Sequence, residues 1–264
     1  MKFLKYLTES LFTAIETDHL ITDRQYKMTI THFKKNISFL FILFTVTLNV
    51  SARENVYIFY PSVLDPHSFQ DSIAHVLKGV SVTVFGRYEN FIEKATNEPP
   101  NGVITKKILV EKQLNDYKIS LSGEKKGKIE TNYIILSTDK QLDVESINKS
   151  TVIGVTDILG RKDMRIFLSE FFPTVPKFKR VPKVADLLSM LSFGAVSGIM
   201  IQDVFLDYFK STSQLEFFTS PLPATPNGSP VFAVNKDKNA KKSISLLKAN
   251  NQVICNLFYI DQWK

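Results

Sequence analysis

The sequence carries a single cysteine, Cys255, in 264 residues. That excludes an intramolecular disulfide and any cysteine-rich metal centre, and it leaves the redox compartment open. Glycine is scarce at ten residues, which argues against a hinge that opens widely. There is no Gly-x-Ser-x-Gly elbow, no glycine-rich phosphate loop and no His-Glu-x-x-His. Serine, aspartate and histidine occur without the spacing of a catalytic triad, so nothing points to an enzyme and no cofactor is implied. Beyond residue 52 the only histidines are His67 and His75. They could share a helix face, but no third or fourth ligand accompanies them, and they read as surface or half-buried residues. The lysines do not interleave with aromatics on one stretch, and residues 1–36 offer no helix-turn-helix, so nucleic-acid binding is not expected.

What is present is apolar material: 44% of the residues, enough for one large domain or two modest ones. The formal charge is +7. A mild basic surplus suits an anionic ligand or an acidic membrane surface, and equally a solvated lysine surface.

The stretch "KKNISFLFILFTVTLNVSAR" (34–53) pairs two lysines with a charge-free run from Ile37 to Val50 and a small-residue exit, Val50-Ser51-Ala52. The run is shorter than the ~20 residues that comfortably span a bilayer. It therefore reads as a secretory signal with cleavage after Ala52 and translation starting at Met28. If residues 1–27 are made, an uncleaved anchor is the rival, and a buried core helix is the third reading. The first two place the rest of the chain outside the cytoplasm, in the periplasm.

From Asn55 onward, β-rich runs alternate with helical patterns, which predicts α/β architecture with largely parallel sheets. "NVYIFY", "VSVTVFG" and "NGVIT" read as strands, separated by helices over "PHSFQDSIAHVLKG" and "RYENFIEKATNEPP". The segment "KKILVEKQLNDYKISLSGEKKGKIETNYIILSTD" alternates like antiparallel strands around a turn at Gly123 to Gly127. A second series follows: strands "STVIGVT", "KFKRVP" and "SGIMIQ", with helices over "GRKDMRIFLSEFFP", "KVADLLSMLSFGAV" and "DVFLDYFKST". An extended, proline-punctuated tail and a helix over "AKKSISLLKANNQ" suggest a return to the first series. The expected division is 1–52 as leader or anchor, 53–125 with 220–264 as one lobe, and 126–219 as the other.

Three stretches, "VTVFGRYENFIEKATNEPPNGVIT", "DVESINKSTVIGV" and "VADLLSMLSFGAVSGIMIQDVFLDYF", resemble the type II periplasmic solute-binding proteins, receptors of ABC importers, and in particular their phosphate/phosphonate-type relatives. The resemblance spans about residues 55–250 and lies in the order of elements more than in fixed residues. It implies a two-lobed fold whose ligand sits between the lobes, on loops at strand carboxyl ends and at helix amino ends. The positions it designates are Tyr60, Ser62, Tyr88 and Thr105 from the first lobe. From the second come Thr156, Asp157, Gly160, Arg161, Gln202 and Asp203. Asp157 and Asp203 are also good helix caps. The chain departs from the phosphonate-type pattern at "TDILGR", where a serine-rich turn is usual; Asp157 there repels an anion unless Arg161 compensates. The glycine-threonine turn of the amino-acid receptors is absent.

The resemblance implies a monomeric receptor that closes on a small molecule, anionic or amino-acid-like, and presents the closed form to a membrane permease or a membrane sensor. A periplasmic enzyme on the same scaffold and a lobe pair that binds only protein remain open alternatives.

Overall fold

Short apolar runs bounded by turn formers become strands, and the amphipathic stretches between them become helices. The computed structural model describes residues 53–264; the apolar run at 37–50 and Ala52 lie outside them. Among the described residues no helix is long and apolar enough to cross a membrane.

The first lobe begins with β1 (Asn55–Ile58), α1 (Pro66–Val76), β2 (Ser81–Val84), α2 (Tyr88–Asn97) and β3 (Gly102–Lys106). β1 pairs in parallel with both β2 and β3. β3 is buried along its whole length, as a nearly all-apolar interior strand should be. α1 starts where the sequence places a start: the Asp65 side chain accepts from the backbone N–H groups of His67 and Ser68, at 3.0 and 3.1 Å, and Pro66 opens the helix. Both histidines of α1 are exposed.

After β3 the structure departs from the strand reading of the middle segment. Lys107–Gln113 is a helix, α3, with Ile108, Leu109 and Val110 buried. Three consecutive apolar residues cannot all face one side of a strand, but on one turn of helix they wedge between neighbouring elements. β4 (Tyr117–Glu124) and β5 (Tyr133–Ser137) follow. A tight turn does form between them: Lys125 and Lys128 exchange backbone hydrogen bonds, with positive φ at Lys126 and Gly127. The two strands nevertheless do not pair with each other. β4 is held by β10 (Pro230–Asn235), which also pairs with β3, and β5 lies in a different sheet.

The second lobe adds β6 (Val152–Thr156), α4 (Gly160–Leu168), β7 (Lys177–Val181), α5 (Asp186–Ser192), β8 (Gly198–Gln202), α6 (Leu206–Thr212) and β9 (Phe218–Pro221). Its five-stranded sheet runs in the order β7-β6-β8-β5-β9. The chain then returns through β10, α7 (Lys241–Lys248), α8 (Gln252–Leu257) and β11 (Gln262–Trp263) to complete the six-stranded first sheet, β11-β4-β10-β3-β1-β2. α8 had no counterpart in the sequence reading; it buries Ile254 and Cys255, and Phe258 beyond it packs edge-on against Trp263.

The chain crosses between the sheets twice, at 125–132 and 222–229, and the crossings are tied by paired backbone hydrogen bonds between Thr131 and Thr225. One buried apolar cluster runs through the boundary, joining Phe59, Phe91 and Ile108 of the first lobe to Tyr133, Val155 and Phe167 of the second.

The start of β1 and the returning tail are joined by Glu54. Its carboxylate accepts from Lys242 N at 3.0 Å, Ser243 N at 2.9 Å and the Ser243 hydroxyl at 2.6 Å, capping α7 from a distant part of the chain. Loss of a helix cap costs about 1–2 kcal/mol, and a chain of this size loses ~2–4 °C per kcal/mol. Glu54→Ala is therefore expected to lower the melting midpoint by about 2–8 °C in calorimetry; an unchanged midpoint would show that the cap carries no weight.

Candidate functional site

The carboxyl ends of β1 and β3 meet those of β6 and β8 between the lobes. At their junction lies Lys106, the last residue of β3, only 2% exposed. Its Nζ donates to the Gly228 carbonyl at 2.7 Å and lies 4.6 Å from the centre of the Tyr60 ring and 5.8 Å from that of Tyr133. Among the described residues it has no salt-bridge partner. Gly228 is required by this geometry, because a Cβ there would fall 2.6 Å from the Tyr133 hydroxyl oxygen and push the crossing away.

Around Lys106 is a cavity of about 30 Å³, lined by polar groups of Tyr133, Thr156 and Gln202 and by apolar side chains including Ile158, Met164 and Phe167. Such a volume admits about one or two waters. The Tyr133 hydroxyl is buried without a hydrogen-bond partner. That of Tyr60 is shared loosely between Gln202 Oε1 and the Phe258 carbonyl, both at 3.5 Å. Burial pushes both phenols well above the ordinary tyrosine range. A wider groove of about 190 Å³ adjoins the cavity and shares Pro61 and Val184 with it; Ser62, Phe85 and Lys183 also line this groove.

The positions designated from the sequence fall in several places. Thr156 and Gln202 line the Lys106 cavity, and the Tyr60 ring packs against the amine. Ser62 lies in the adjoining groove, where its Oγ accepts from Leu64 N. Thr105 is buried, its hydroxyl without a partner, but side chains alternate along a strand, so it faces away from the side that Lys106 takes. Asp157 accepts from Gly160 N at 2.8 Å and is ion-paired with Arg180. Burial raises its pKa against the pull of that guanidinium. Arg161 is exposed on the first turn of α4, and Asp203 accepts from the Asn132 amide at 3.2 Å.

Tyr88 belongs to a tie between the lobes. Its hydroxyl donates to Gln113 Oε1 at 2.6 Å, and Gln113 Nε2 donates to the Leu159 carbonyl at 2.8 Å and to Asp163 Oδ2 at 2.7 Å. Gly160 lets the ring approach, since a Cβ there would lie 3.0 Å from it. A second tie runs from Glu170 to Thr225 and Asn227, at 2.8 and 2.7 Å.

Sequence reasoning passed over Lys106, Tyr133 and Gln113. The available signal was "GVITKK", in which a buried strand ends on the first of two lysines; lysines are almost always solvated, and this one is not. Burial lowers the Lys106 pKa from an ordinary lysine's 10.5 to about 7. The unfolded chain then binds this proton more tightly than the folded one. Folding stability therefore rises with pH between about 7 and 10.5, and the full penalty is present below 7. That penalty is on the order of 4 kcal/mol. Lys106→Met, close in volume and uncharged, is expected to raise the melting midpoint by several degrees at pH 6.5, with a smaller gain at pH 9.5. An equal or negative change at both values would show that the amine is not a destabilising charge.

No protein-family model matches the sequence, and no curated protein matches it. Among solved structures, the chain is similar to XAC2383 of Xanthomonas citri bound to ATP, at 9% identity and a TM-score of 0.54, over 80% of this chain and 90% of that one. It is similar to a binding protein component of an ABC phosphonate transporter from Pseudomonas aeruginosa, at 7% identity and 0.53, over 80% and 81%. It is also similar to the VFT2 domain of Bordetella pertussis BvgS, at 10% identity and 0.52, over 78% and 92%. The two sheets, the double crossing and the cleft between strand carboxyl ends are thus the two-lobed fold of the type II periplasmic solute-binding proteins.

Proposed function

We propose that this chain is an exported solute-binding protein that captures a small ligand between its lobes and works with a membrane permease. The observation that carries this reading is Lys106: a cation buried at the lobe junction with no counter-charge among the described residues, beside Tyr133, whose hydroxyl has no hydrogen-bond partner among them. A buried lone charge is costly to keep, and a ligand that supplies the missing counter-charge removes the cost. The mechanism is closure about the crossings at 125–132 and 222–229. A ligand contacting both Lys106 and the Thr156–Gln202 side favours the closed state by those added contacts and needs no covalent step. The likeness to phosphate/phosphonate-type receptors rests on element order and does not extend to the anion's surroundings.

A sensory role in place of transport is favoured by a separate observation. The cavity admits one or two waters and the lobes are already tied through Gln113, so binding requires them to part. A receptor that is closed at rest and opened by its ligand reports a signal as readily as one that closes.

Two outcomes are expected. In a thermal-shift screen against phosphate, phosphonates, sulfate, amino acids and small carboxylates, a true ligand at a hundred times its dissociation constant stabilises the fold by about 2.7 kcal/mol. That moves the midpoint by roughly 5–10 °C; no shift across the panel would remove the solute-binding reading. Gln113→Ala deletes the two bonds that Gln113 makes across the lobes, to the Leu159 carbonyl and Asp163, each contributing ~0.5–1.5 kcal/mol, so the open form should gain at least roughly fivefold. Small-angle scattering of the ligand-free variant should show a larger radius of gyration; an unchanged radius would mean that the tie does not hold the lobes.

A further inference from the structure

We propose that the inter-lobe site takes a small monocarboxylate with an apolar body, its two oxygens held by the Lys106 ammonium and the Tyr133 hydroxyl; this rests on the solute-binding reading. The donors come first. Of the three N–H groups of a protonated Lys106, one is satisfied by the Gly228 carbonyl, and the Tyr60 and Tyr133 rings beside the nitrogen are weak acceptors for the others. Tyr133 lines the same cavity, and its buried hydroxyl has no hydrogen-bond partner among the described residues. Two unfilled donors of this kind suit a carboxylate, whose oxygens accept charge-assisted bonds.

The same surroundings reject the competing classes. An α-amino acid would bring an ammonium group, and the nearby acids are engaged: Asp157 with Arg180 and Gly160 N, Asp203 with Asn132, and Glu170 with Thr225 and Asn227. None of the three lines the cavity, so the ammonium would be buried without a partner. Phosphate or a phosphonate would bring a second negative charge. Arg180 is already paired, Arg161 is exposed on α4, and Lys183 stands at the rim of the outer groove. One cation therefore faces one negative charge.

The ligand's body is set by the walls. Ile158, Met164 and Phe167 offer no hydrogen bonds, so once the lobes part to admit a ligand they present it with an apolar wall beside Lys106. Past Pro61 and Val184 the wider groove, walled by Phe59, Phe85 and Phe69, receives whatever extends further. A carboxylate head with a short or branched hydrocarbon body meets both regions.

Binding on these terms takes up a proton. The titratable groups facing Lys106 are the phenols Tyr60, from the loop after β1, and Tyr133, from β5; both stay protonated near neutrality, and β8 and the second crossing present only the Gln202 amide and the Gly228 carbonyl. Lys106 alone changes charge there, losing its proton above about pH 7. Affinity should then follow the protonated fraction and be roughly twenty-fold weaker at pH 8.5 than at pH 6.5.

Titration calorimetry of the purified protein tests this with acetate, butyrate and isovalerate beside alanine, inorganic phosphate and methylphosphonate, at pH 6.5 and 8.5 and in two buffers of different ionisation enthalpy. The expected result is carboxylate binding that weakens with pH and takes up a proton at the higher value. Lys106→Met, its fold checked by thermal melting, should abolish it. Lys106→Arg, charged at both values, should retain binding without the pH dependence. Binding of phosphate or alanine in place of the carboxylates would overturn the assigned class while leaving the solute-binding reading standing. Absence of binding by every compound here and in the wider screen would remove both. Carboxylate binding that survives in Lys106→Met would place the ligand elsewhere and overturn the assignment.

Discussion

An amine buried between two sheets, with no counter-charge among the described residues, constrains everything built around it. Lys106 is tolerable there because three features soften its surroundings: a carbonyl brought close by a glycine, the face of Tyr60, and a proton affinity low enough that the group sheds its charge near neutrality. Each feature comes from a different part of the chain. The amine is supplied by β3, the ring by the loop after β1, the carbonyl by the second crossing and the phenol of Tyr133 by β5. The site is thus assembled from both lobes, and changing their separation changes the environment of one charge. A structural lysine with no ligand would be easily improved by a hydrophobic replacement; the energy held in its burial is what a ligand can recover.

The two lobe ties work at a different level. Neither the Gln113 arrangement nor that of Glu170 touches the cavity, yet both set how readily the cavity can be reached. They are polar and peripheral, whereas the apolar cluster that crosses the boundary is buried and continuous. Apolar contact resists separation without fixing a direction, and hydrogen bonds of defined geometry fix the register in which the lobes meet. Together they hold the two lobes against each other in one defined register.

Much of this fold was legible in the sequence because periodicity reports burial. β1, β3 and β8 are read from short β-rich runs, and α1 from the amphipathic stretch that opens at Pro66. The misreading of 107–113 arose because three adjacent apolar residues satisfy a strand pattern and a helical one equally. The pairing of β4 and β5 was illegible for a different reason: partner choice depends on β10, more than a hundred residues later in the chain. At the site, two of the positions that the resemblance designated, Thr156 and Gln202, line the cavity beside Lys106, and that lysine stands one residue beyond Thr105. A shift of one along a strand reverses the face, and no local pattern distinguishes a buried lysine from a solvated one. The engagement of Asp157 by Arg180 likewise joins two strands and has no sequence mark.

The position of β10 has a consequence for how the molecule is made. It lies between β3 and β4, so until residues 230–235 are available the first sheet has a gap at its centre and two unsatisfied strand edges. The second sheet, by contrast, is drawn entirely from 133–221 and can close on its own. Order of synthesis then becomes order of assembly: the inner lobe of the sequence completes early, and the outer one waits for the last sixth of the chain. Long-range pairing of this kind is slow, and the half-built first sheet is the species most exposed to sticking to its neighbours. The same late strand that completes the sheet follows directly on Gly228, so the lysine is sheltered only when folding is nearly over.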